Sequence, residues 1–479
     1  MFLKRLSTPD CMRQYLTLIL LLFSSFHVYA NATFSHPALA AKPVPEGADI
    51  ALYVVDAASG KTIYSERAEL FQQPASVQKM VTALATQLYL PDNFRFATTL
   101  ETNQDDVILR FSGDPSFTRT HLRVLLDKLK IHSSTITGNL YLNGGVFDSF
   151  ERAIGVPWDT MGVCYSAPAS ALTMNGNCVY GKLEATTEPP IKAVKASASD
   201  LVTMDAGNII LREGLNTQKI DCDLKLSVND NNHYTVGGCV GTHRLPVNFH
   251  LAVQNPTELM IKVLYQELKR AGITLNGAII RNDLVKGDEI ARHQSGPLSQ
   301  LVDEMVKKSD NLIADNLMKT LGHQYFDQPG SYENGAAAIK AILKEKASID
   351  IDKAVIVDGS GLSRNNKMSA KQLMQVVQYI FSHPEAGVAD MLPVSGVSGT
   401  LQWRPSLVNS PLKGQVTAKT GTIYGVYNLA GRIKTRSGKS LLFVQIISNY
   451  HPTSTNRNVA RKPIRVFERS LYETLYNDH

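Results

Sequence analysis

Apolar positions near the two ends of the chain fall into patterns that fit one sheet. Ile50-Ala51-Leu52-Tyr53-Val54-Val55 is an unbroken apolar run, Ala58-Ser59-Gly60 is a turn, and Lys61-Thr62-Ile63-Tyr64 resumes the extended pattern. Residues 50–66 therefore predict a β-hairpin. Directly after it, Val77, Met80, Val81, Leu84 and Leu88 recur at helical spacing, predicting a helix over about 76–88. Two further helical patterns, 298–307 and 311–321, meet at a short junction. Late in the chain, 416–422, 426–433 and 441–447 read as strands, the last two joined across Ser437-Gly438, and about 458–476 reads as a helix. The hairpin and the three late strands predict an α+β domain: an antiparallel five-stranded sheet flanked by helices, built from two separated stretches of sequence.

The stretch between them has a different texture. Short strand-like runs such as Val107-Ile108-Leu109-Arg110-Phe111 and Asn139-Leu140-Tyr141-Leu142 are separated by Gly, Asn and Asp turns. Residues 92–285 thus predict one or two β-rich domains inserted between residues 31–91 and 286–479 of the split domain. Residues 1–30 read as a secretory leader: Arg13 precedes an apolar segment, Leu16 to Val28, that ends at Val28-Tyr29-Ala30, a small-x-small cleavage pattern. The segment is too short for a transmembrane helix. Starting at Met12 makes a shorter, more ordinary leader. Cleavage after Ala30 would place the mature protein outside the cytoplasm, with the periplasm as the expected location.

Cysteine usage agrees with export. Cys11 leaves with the leader, and Cys164, Cys178, Cys222 and Cys239 remain, an even number suited to an oxidising compartment. Four cysteines allow three connectivities, of which nearest-neighbour pairing, Cys164 with Cys178 and Cys222 with Cys239, is the simplest. A four-cysteine zinc site is the rival, although CxxC pairs are lacking. The chain has 479 residues, 44% of them hydrophobic, enough for a large core. A formal charge of +6, without basic runs or basic-aromatic alternation, argues against a nucleic-acid partner. The 12 histidines include no HExxH or comparable ligand pair, so neither a metal nor another cofactor is implied.

Three short strings supply candidate chemistry. In Ser76-Val77-Gln78-Lys79 the serine and lysine lie on one helix face, one turn apart, with Ser76 at a helix N-terminus whose N–H groups suit an oxyanion. Lys79 can activate Ser76 only when neutral, which calls for burial or a neighbouring cation such as Lys419. Ser309-Asp310-Asn311 occupies the junction of two helices, where Ser309 would pass a proton to a leaving amine and Asn311 would hold a substrate amide or Lys79. Lys419-Thr420-Gly421, at the start of a late strand, offers a cation and hydroxyl to a carboxylate, with Gly421 admitting substrate backbone. Thr422 adds a second hydroxyl and an N–H that pairs with that of Ser76. Taken singly the strings mean little: SxxK recurs at Ser410-Pro411-Leu412-Lys413, and SxN recurs at Ser227-Val228-Asn229, Ser363-Arg364-Asn365 and Ser454-Thr455-Asn456. Their order and their placement on helix, junction and strand point to serine acyl transfer.

The set resembles the motifs of penicillin-recognising serine enzymes. The long gap after Lys79 is similar to that of the low-molecular-mass class C penicillin-binding proteins, D-alanyl-D-alanine carboxypeptidases and endopeptidases. Ser112-Gly113-Asp114-Pro115, Val156-Pro157-Trp158, Ser166-Ala167-Pro168, the run from Asp358-Gly359-Ser360-Gly361 to Leu362-Ser363-Arg364, Leu392-Pro393-Val394-Ser395-Gly396 and Gly399-Thr400-Leu401 fit the same family. The resemblance implies a catalytic domain of the penicillin-binding and β-lactamase type. It also implies peptidoglycan stem peptides as substrate, with Ser76 as nucleophile and the terminal carboxylate on Lys419, Thr420 and Thr422, and β-lactams as covalent inhibitors. Asp159, Tyr165, Arg364 and Tyr424 are implied as substrate contacts beyond the motifs. β-Lactamase, D-amino-acid esterase or amidase, and non-catalytic peptidoglycan binding are the rival readings. Arg457, Arg461, Lys462, Arg465 and Arg469 on the last helix read as a solvated face, with peripheral contact to an anionic membrane as the alternative. A homodimer is compatible with the sequence.

Overall fold

The computed structural model describes residues 44–188, 192–213, 222–452, 454 and 457–479. The expected leader, 1–30, with Cys11 and the alternative start at Met12, lies outside the described residues.

The split domain forms as its apolar runs predict. Strands Asp49–Asp56, Thr62–Glu66, Val416–Ile423, Val426–Lys434 and Ser440–Ser448 make one five-stranded antiparallel sheet, in which the first strand pairs with the last, Asp49 opposite Ser448 through Asp56 opposite Leu441. Alternate side chains of a strand face opposite ways, so an unbroken apolar run means both faces are covered. Ala51 and Val55, with Leu442, Val444 and Ile446, face a core shared with the helices that carry the catalytic strings. Ile50, Leu52 and Val54, with Leu441, Phe443 and Ile447, face the C-terminal helix Lys462–Asn477 through its Ile464, Phe467, Leu471 and Leu475.

Helix Asn311–Phe326 runs through the first core and is buried on every side from Leu312 to Gly322. Helix Leu298–Lys308 packs by Leu298, Leu301, Val302, Met305 and Val306, the i, i+3, i+4, i+7 spacing of a one-sided helix. Between them, Ser309 adopts a left-handed conformation (φ 62°, ψ 40°), and the Asp310 carboxylate caps the next helix by accepting from Ile313 N–H at 2.9 Å.

The inserted region has its own core and is not made of strands alone. Helices Arg119–His132 and Pro256–Ala271 pack on a five-stranded sheet by Leu122, Leu125, Leu126 and Leu129, and by Leu259, Met260, Val263, Leu264 and Leu268. Strand Asp288–Gln294, beyond the expected boundary at 285, belongs to this sheet because it pairs with Ala97–Asn103. Cys164 pairs with Cys178 and Cys222 with Cys239, Cα atoms 5.5 and 4.7 Å apart, so the four cysteines are spent on disulfides and the zinc reading is overturned. No helix among the described residues is long and apolar enough to cross a membrane.

Candidate active site

Ser76 lies on a 3-10 turn, Ala75–Gln78, and the α-helix proper runs over Lys79–Tyr89. The expected single helix from 76 is thus divided just after Ser76. Ala75 stands at φ +47°, a conformation costly for a residue with a Cβ, and the surroundings hold it there. Asn428 Nδ2 donates to Gln73 O at 2.9 Å and Pro74 O at 2.8 Å. Two glycines let other backbones press against the same turn. A Cβ on Gly361 (φ +79°) would lie 1.9 Å from Ala75 O, and one on Gly421 would lie 2.8 Å from Pro74 O. Gly421 was expected to admit substrate backbone; the space a side chain would take there is filled by the turn that carries Ser76.

Lys79 is fully buried, and its Nζ donates to Ser76 Oγ at 3.0 Å, Asn311 Oδ1 at 2.6 Å and Ser360 O at 2.7 Å. These partners satisfy the ammonium group but carry no formal charge. Burial therefore dominates and lowers the lysine from its ordinary 10.5 to about 8, against the pull of Asp315, Asp358 and Asp310. The segment behind it is a set of satisfied main-chain groups. Asp358 accepts from Gly361 N–H at 2.7 Å and Ser363 N–H at 2.6 Å, while Asp315 accepts from Gly359 N–H at 2.9 Å. Burial and the neighbouring Asp358 push the Asp315 carboxyl well above the usual carboxylate range.

Lys419 is equally buried and donates to Ser309 Oγ at 2.8 Å and to Thr420 O at 3.0 Å. Burial first, then the charge of Lys79, lowers its pKa well below the ordinary value. Of the two means expected for lowering Lys79, burial or a neighbouring cation such as Lys419, burial is the one that acts, and it is the largest cause at both lysines. Asn311 is held at both ends, accepting from Lys79 and donating through Nδ2 to Tyr165 O at 2.7 Å, which ties the helix junction to the inserted region.

Val416–Ile423 is an edge strand of its sheet. Ala418 N–H donates to Pro393 O at 2.9 Å, away from the neighbouring strand, so the N–H groups of Thr420 and Thr422 face the same outer side by the two-residue repeat. Beside that edge opens a cavity of ≈ 390 Å³ whose walls include Ser76, Ser309, Thr420 and Thr422. A second, of ≈ 560 Å³, lies on the far side of Ser309 and Asn311 and reaches Tyr165 and the Cys164–Cys178 bridge.

The remaining candidates land unequally. Arg364 and Tyr424 meet, the Arg364 guanidinium donating to Tyr424 O at 3.1 Å. Tyr165 is exposed on the wall of the larger cavity. Asp159, exposed on the short turn Trp158–Thr160, lines neither cavity. Sequence reasoning missed Ser360, whose carbonyl receives Lys79; Asn428, which fixes the turn that carries Ser76; and Thr400, whose Oγ1 accepts from Thr420 Oγ1 at 2.9 Å. The strings at 358–364 and 399–401 were the available signal for Ser360 and Thr400; Asn428 carried none.

Similarity to known proteins fits this geometry. The chain is 34% identical over 445 residues to D-alanyl-D-alanine carboxypeptidase DacB of Haemophilus influenzae, spanning 90% of this chain and 92% of that one. It is 28% identical over 437 residues to the D-alanyl-D-alanine carboxypeptidase of Actinomadura sp. strain R39, spanning 85% of this chain and 79% of that one. The crystal structure of penicillin binding protein 4 (dacB) from Haemophilus influenzae superposes with a TM-score of 0.84 at 33% identity, covering 91% of this chain and 98% of that one. The same Haemophilus influenzae protein has been solved in complex with a β-lactam, and that structure matches with a TM-score of 0.80 at 32% identity over 91% of this chain and 98% of that one. The family pattern itself matches residues 36–471, and the chain belongs to the D-Ala-D-Ala carboxypeptidase 3 (S13) family.

Proposed function

We propose that the protein is a serine D,D-peptidase that removes the terminal D-alanine from peptidoglycan stem peptides, cleaves D-alanyl cross-links by the same chemistry, and is acylated by β-lactams. The contact of Lys79 Nζ with Ser76 Oγ at 3.0 Å carries the reading, because it pairs a nucleophile with a base already lowered to about 8.

The substrate lies extended along the outer edge of Val416–Ile423, adding to the sheet as a further strand. Its terminal carboxylate meets Thr420, Thr422 and the Lys419 charge behind them. Neutral Lys79 takes the proton of Ser76 Oγ as that oxygen attacks the penultimate carbonyl. The oxyanion is met by the N–H groups of Ser76 and Thr422. Ser309 Oγ accepts from Lys419, so its own hydrogen is available to the departing amine, and the lysine pair reprotonates it. The C–N bond breaks, D-alanine leaves, and Ser76 holds the acyl group as an ester. Water attacks that ester, with Lys79 accepting its proton and returning one to Ser76 Oγ. A β-lactam enters the same steps, but its leaving nitrogen stays tethered to the acyl group.

Arg364 and Tyr424, which contact each other but line neither cavity, remain proposed contacts of the stem-peptide side chain next to the scissile residue; Tyr165 acts through its carbonyl on Asn311, and Asp159 has no support from the cavity walls. The leader pattern and the two disulfides support a periplasmic location. The test is Ser76→Ala: the variant is expected to stay folded by circular dichroism and to lose both fluorescent-penicillin labelling and D-alanine release. Undiminished D-alanine release from a folded variant would refute the mechanism.

A further inference from the structure

A buried carboxyl is bonded to the same main-chain segment that receives Lys79. Asp315 lies on helix Asn311–Phe326, four residues after Asn311 and therefore one turn along the same face. Its Oδ1 accepts from Gly359 N–H at 2.9 Å, and its Oδ2 accepts from Ser360 Oγ at 3.3 Å. The carbonyls of those two residues face the helix of the catalytic lysine. Gly359 O accepts from Thr82 Oγ1 at 2.7 Å, and Ser360 O accepts from Lys79 Nζ at 2.7 Å. Asp315 thus grips from one side the segment that Thr82 and Lys79 grip from the other. A Cβ on Gly359 would lie 2.4 Å from Ala314 O, so the segment also presses on the helix backbone beside Asp315.

The neighbouring acids carry heavier structural loads. Asp358 accepts from Gly361 N–H, Ser363 N–H and, at 2.9 Å, Asn366 Nδ2, while Asp310 caps a helix through Ile313 N–H. Asp315 holds one N–H and one hydroxyl. Ser360 Oγ also accepts from Leu362 N–H at 3.3 Å, and a hydroxyl can turn its hydrogen, so it pairs with Asp315 in either charge state and equally with an amide. The groups that feel the charge of Asp315 come from every side. They are Lys79 on the facing helix, Asp358 in the bonded segment, Lys319 one turn further along its own helix, and Tyr332 on helix Tyr332–Ala347. Lys79 is faced in addition by Asp358, Asp310 and the like charge of Lys419. After burial, Asp315 is the largest influence on Lys79, and it opposes burial by favouring the ammonium form.

We propose that Asp315 is a positioning residue for the acylation step: its carboxyl holds the Ser360 carbonyl against Lys79, and its charge governs how readily that lysine gives up its proton. The proposal rests on the D,D-peptidase reading and leaves its bond changes as above, with the Ser76 proton passing to Lys79 and the acyl carbon to Ser76 Oγ. Asp315 acts on this chemistry through Ser360 and Lys79, and what it sets is the pH at which the base is ready.

The test measures the rate of acylation by fluorescent penicillin as a function of pH for full-length wild type, Asp315→Asn and Asp315→Ala, with folding checked by circular dichroism. Asparagine keeps an acceptor for Gly359 N–H and offers Nδ2 to Ser360 Oγ, but carries no charge. Its acylation midpoint is expected to fall by about one pH unit, so that the rate at pH 6, as a fraction of the variant's own plateau, rises about tenfold. Alanine releases both contacts and is expected to lower the plateau about tenfold through misplacement of the Ser360 carbonyl. If Asp315→Ala does not fold, Ser360→Ala removes the hydroxyl contact alone and is expected to lower the plateau roughly threefold. A midpoint that stays at the wild-type value in Asp315→Asn overturns the proposal, because a purely structural carboxyl would leave it there. A folded Asp315→Asn that no longer labels, or a wild-type plateau in the variant that removes the contact, overturns it as well. Wild-type protein that penicillin labels at no pH overturns the D,D-peptidase reading and this proposal together.

Discussion

Burying Lys79 has a cost and a use, and one titration measures both. The lysine drops from 10.5 to about 8, and at about 1.4 kcal/mol per unit the folded protein disfavours the ammonium form by about 3 kcal/mol. The unfolded chain keeps that proton up to 10.5, whereas the folded one loses it near 8. Between those values folding releases a proton, so this group's contribution to stability rises with pH across that window and is flat below it. Lys79→Met fills a similar volume without a titrating group. The unfolding free energy of wild type minus that of Lys79→Met, from urea titrations, is therefore predicted to rise by about 1 kcal/mol between pH 7 and pH 9. The same proton governs the chemistry, since only neutral Lys79 can accept from Ser76. The rate of acylation by fluorescent penicillin should climb about tenfold from pH 6 to pH 7 and level off above about 8. A flat acylation profile, with a wild-type-to-variant gap that does not move with pH, would refute the reasoning on both counts.

Two other perturbations probe what holds the nucleophile and its neighbours. Gly361→Ala sets a Cβ 1.9 Å from Ala75 O at φ +79°, a backbone overlap that no rotamer relieves, and is expected to cost about 2–4 kcal/mol by chemical denaturation while slowing penicillin acylation at least tenfold. Lys319, buried in helix Asn311–Phe326 and lowered to about 8 by that burial, donates to Phe150 O at 2.8 Å and Ala169 O at 3.0 Å, either side of the segment that carries Tyr165. Lys319→Met leaves both carbonyls without that donor and is predicted to lower stability by about 2–4 kcal/mol and to slow acylation, because Asn311 depends on Tyr165 O for its second contact.

How much of the fold could be read in advance depended on which faces were buried. The strands of the catalytic sheet are covered on both sides, so their apolar runs were unmistakable and the join between residues 49–56 and 440–448 followed from them. Strand Asp288–Gln294 lies at a sheet edge and is composed largely of Asp288, Glu289, Arg292, His293 and Gln294, so it offers little apolar signal, and the inserted region ended too early without it. Charged edges of this kind are how a sheet avoids pairing with other chains. The helix over Arg119–His132 did carry a readable stripe, Leu122, Leu125, Leu126 and Leu129, but it sat among short strands whose alternation drew the reading.

The site was legible where side chains do the chemistry and illegible where the main chain does. Ser76, Lys79, Ser309, Asn311 and Lys419 announce themselves by residue type, and the fold brings them into two hydrogen-bonded sets, Lys79 with Ser76 and Asn311, and Lys419 with Ser309. Ser360 acts on Lys79 through a carbonyl and Tyr165 acts on Asn311 through another, roles that any residue type supplies. Gly361 and Gly421 act by what they lack, so their sequence signature is only that of a glycine near a motif. The Ser360 carbonyl gives buried Lys79 a partner that is polar yet uncharged, Tyr165 O steadies the Asn311 amide that gives it another, and the two glycines let the Ser76 turn pack beside it, so its pKa falls without leaving its N–H groups unsatisfied. A carboxylate in place of the Ser360 carbonyl would satisfy Lys79 equally well and would also keep it protonated. The nucleophile would then have no base at neutral pH, so the choice of a main-chain oxygen at that point is as much a part of the catalytic apparatus as the serine it serves.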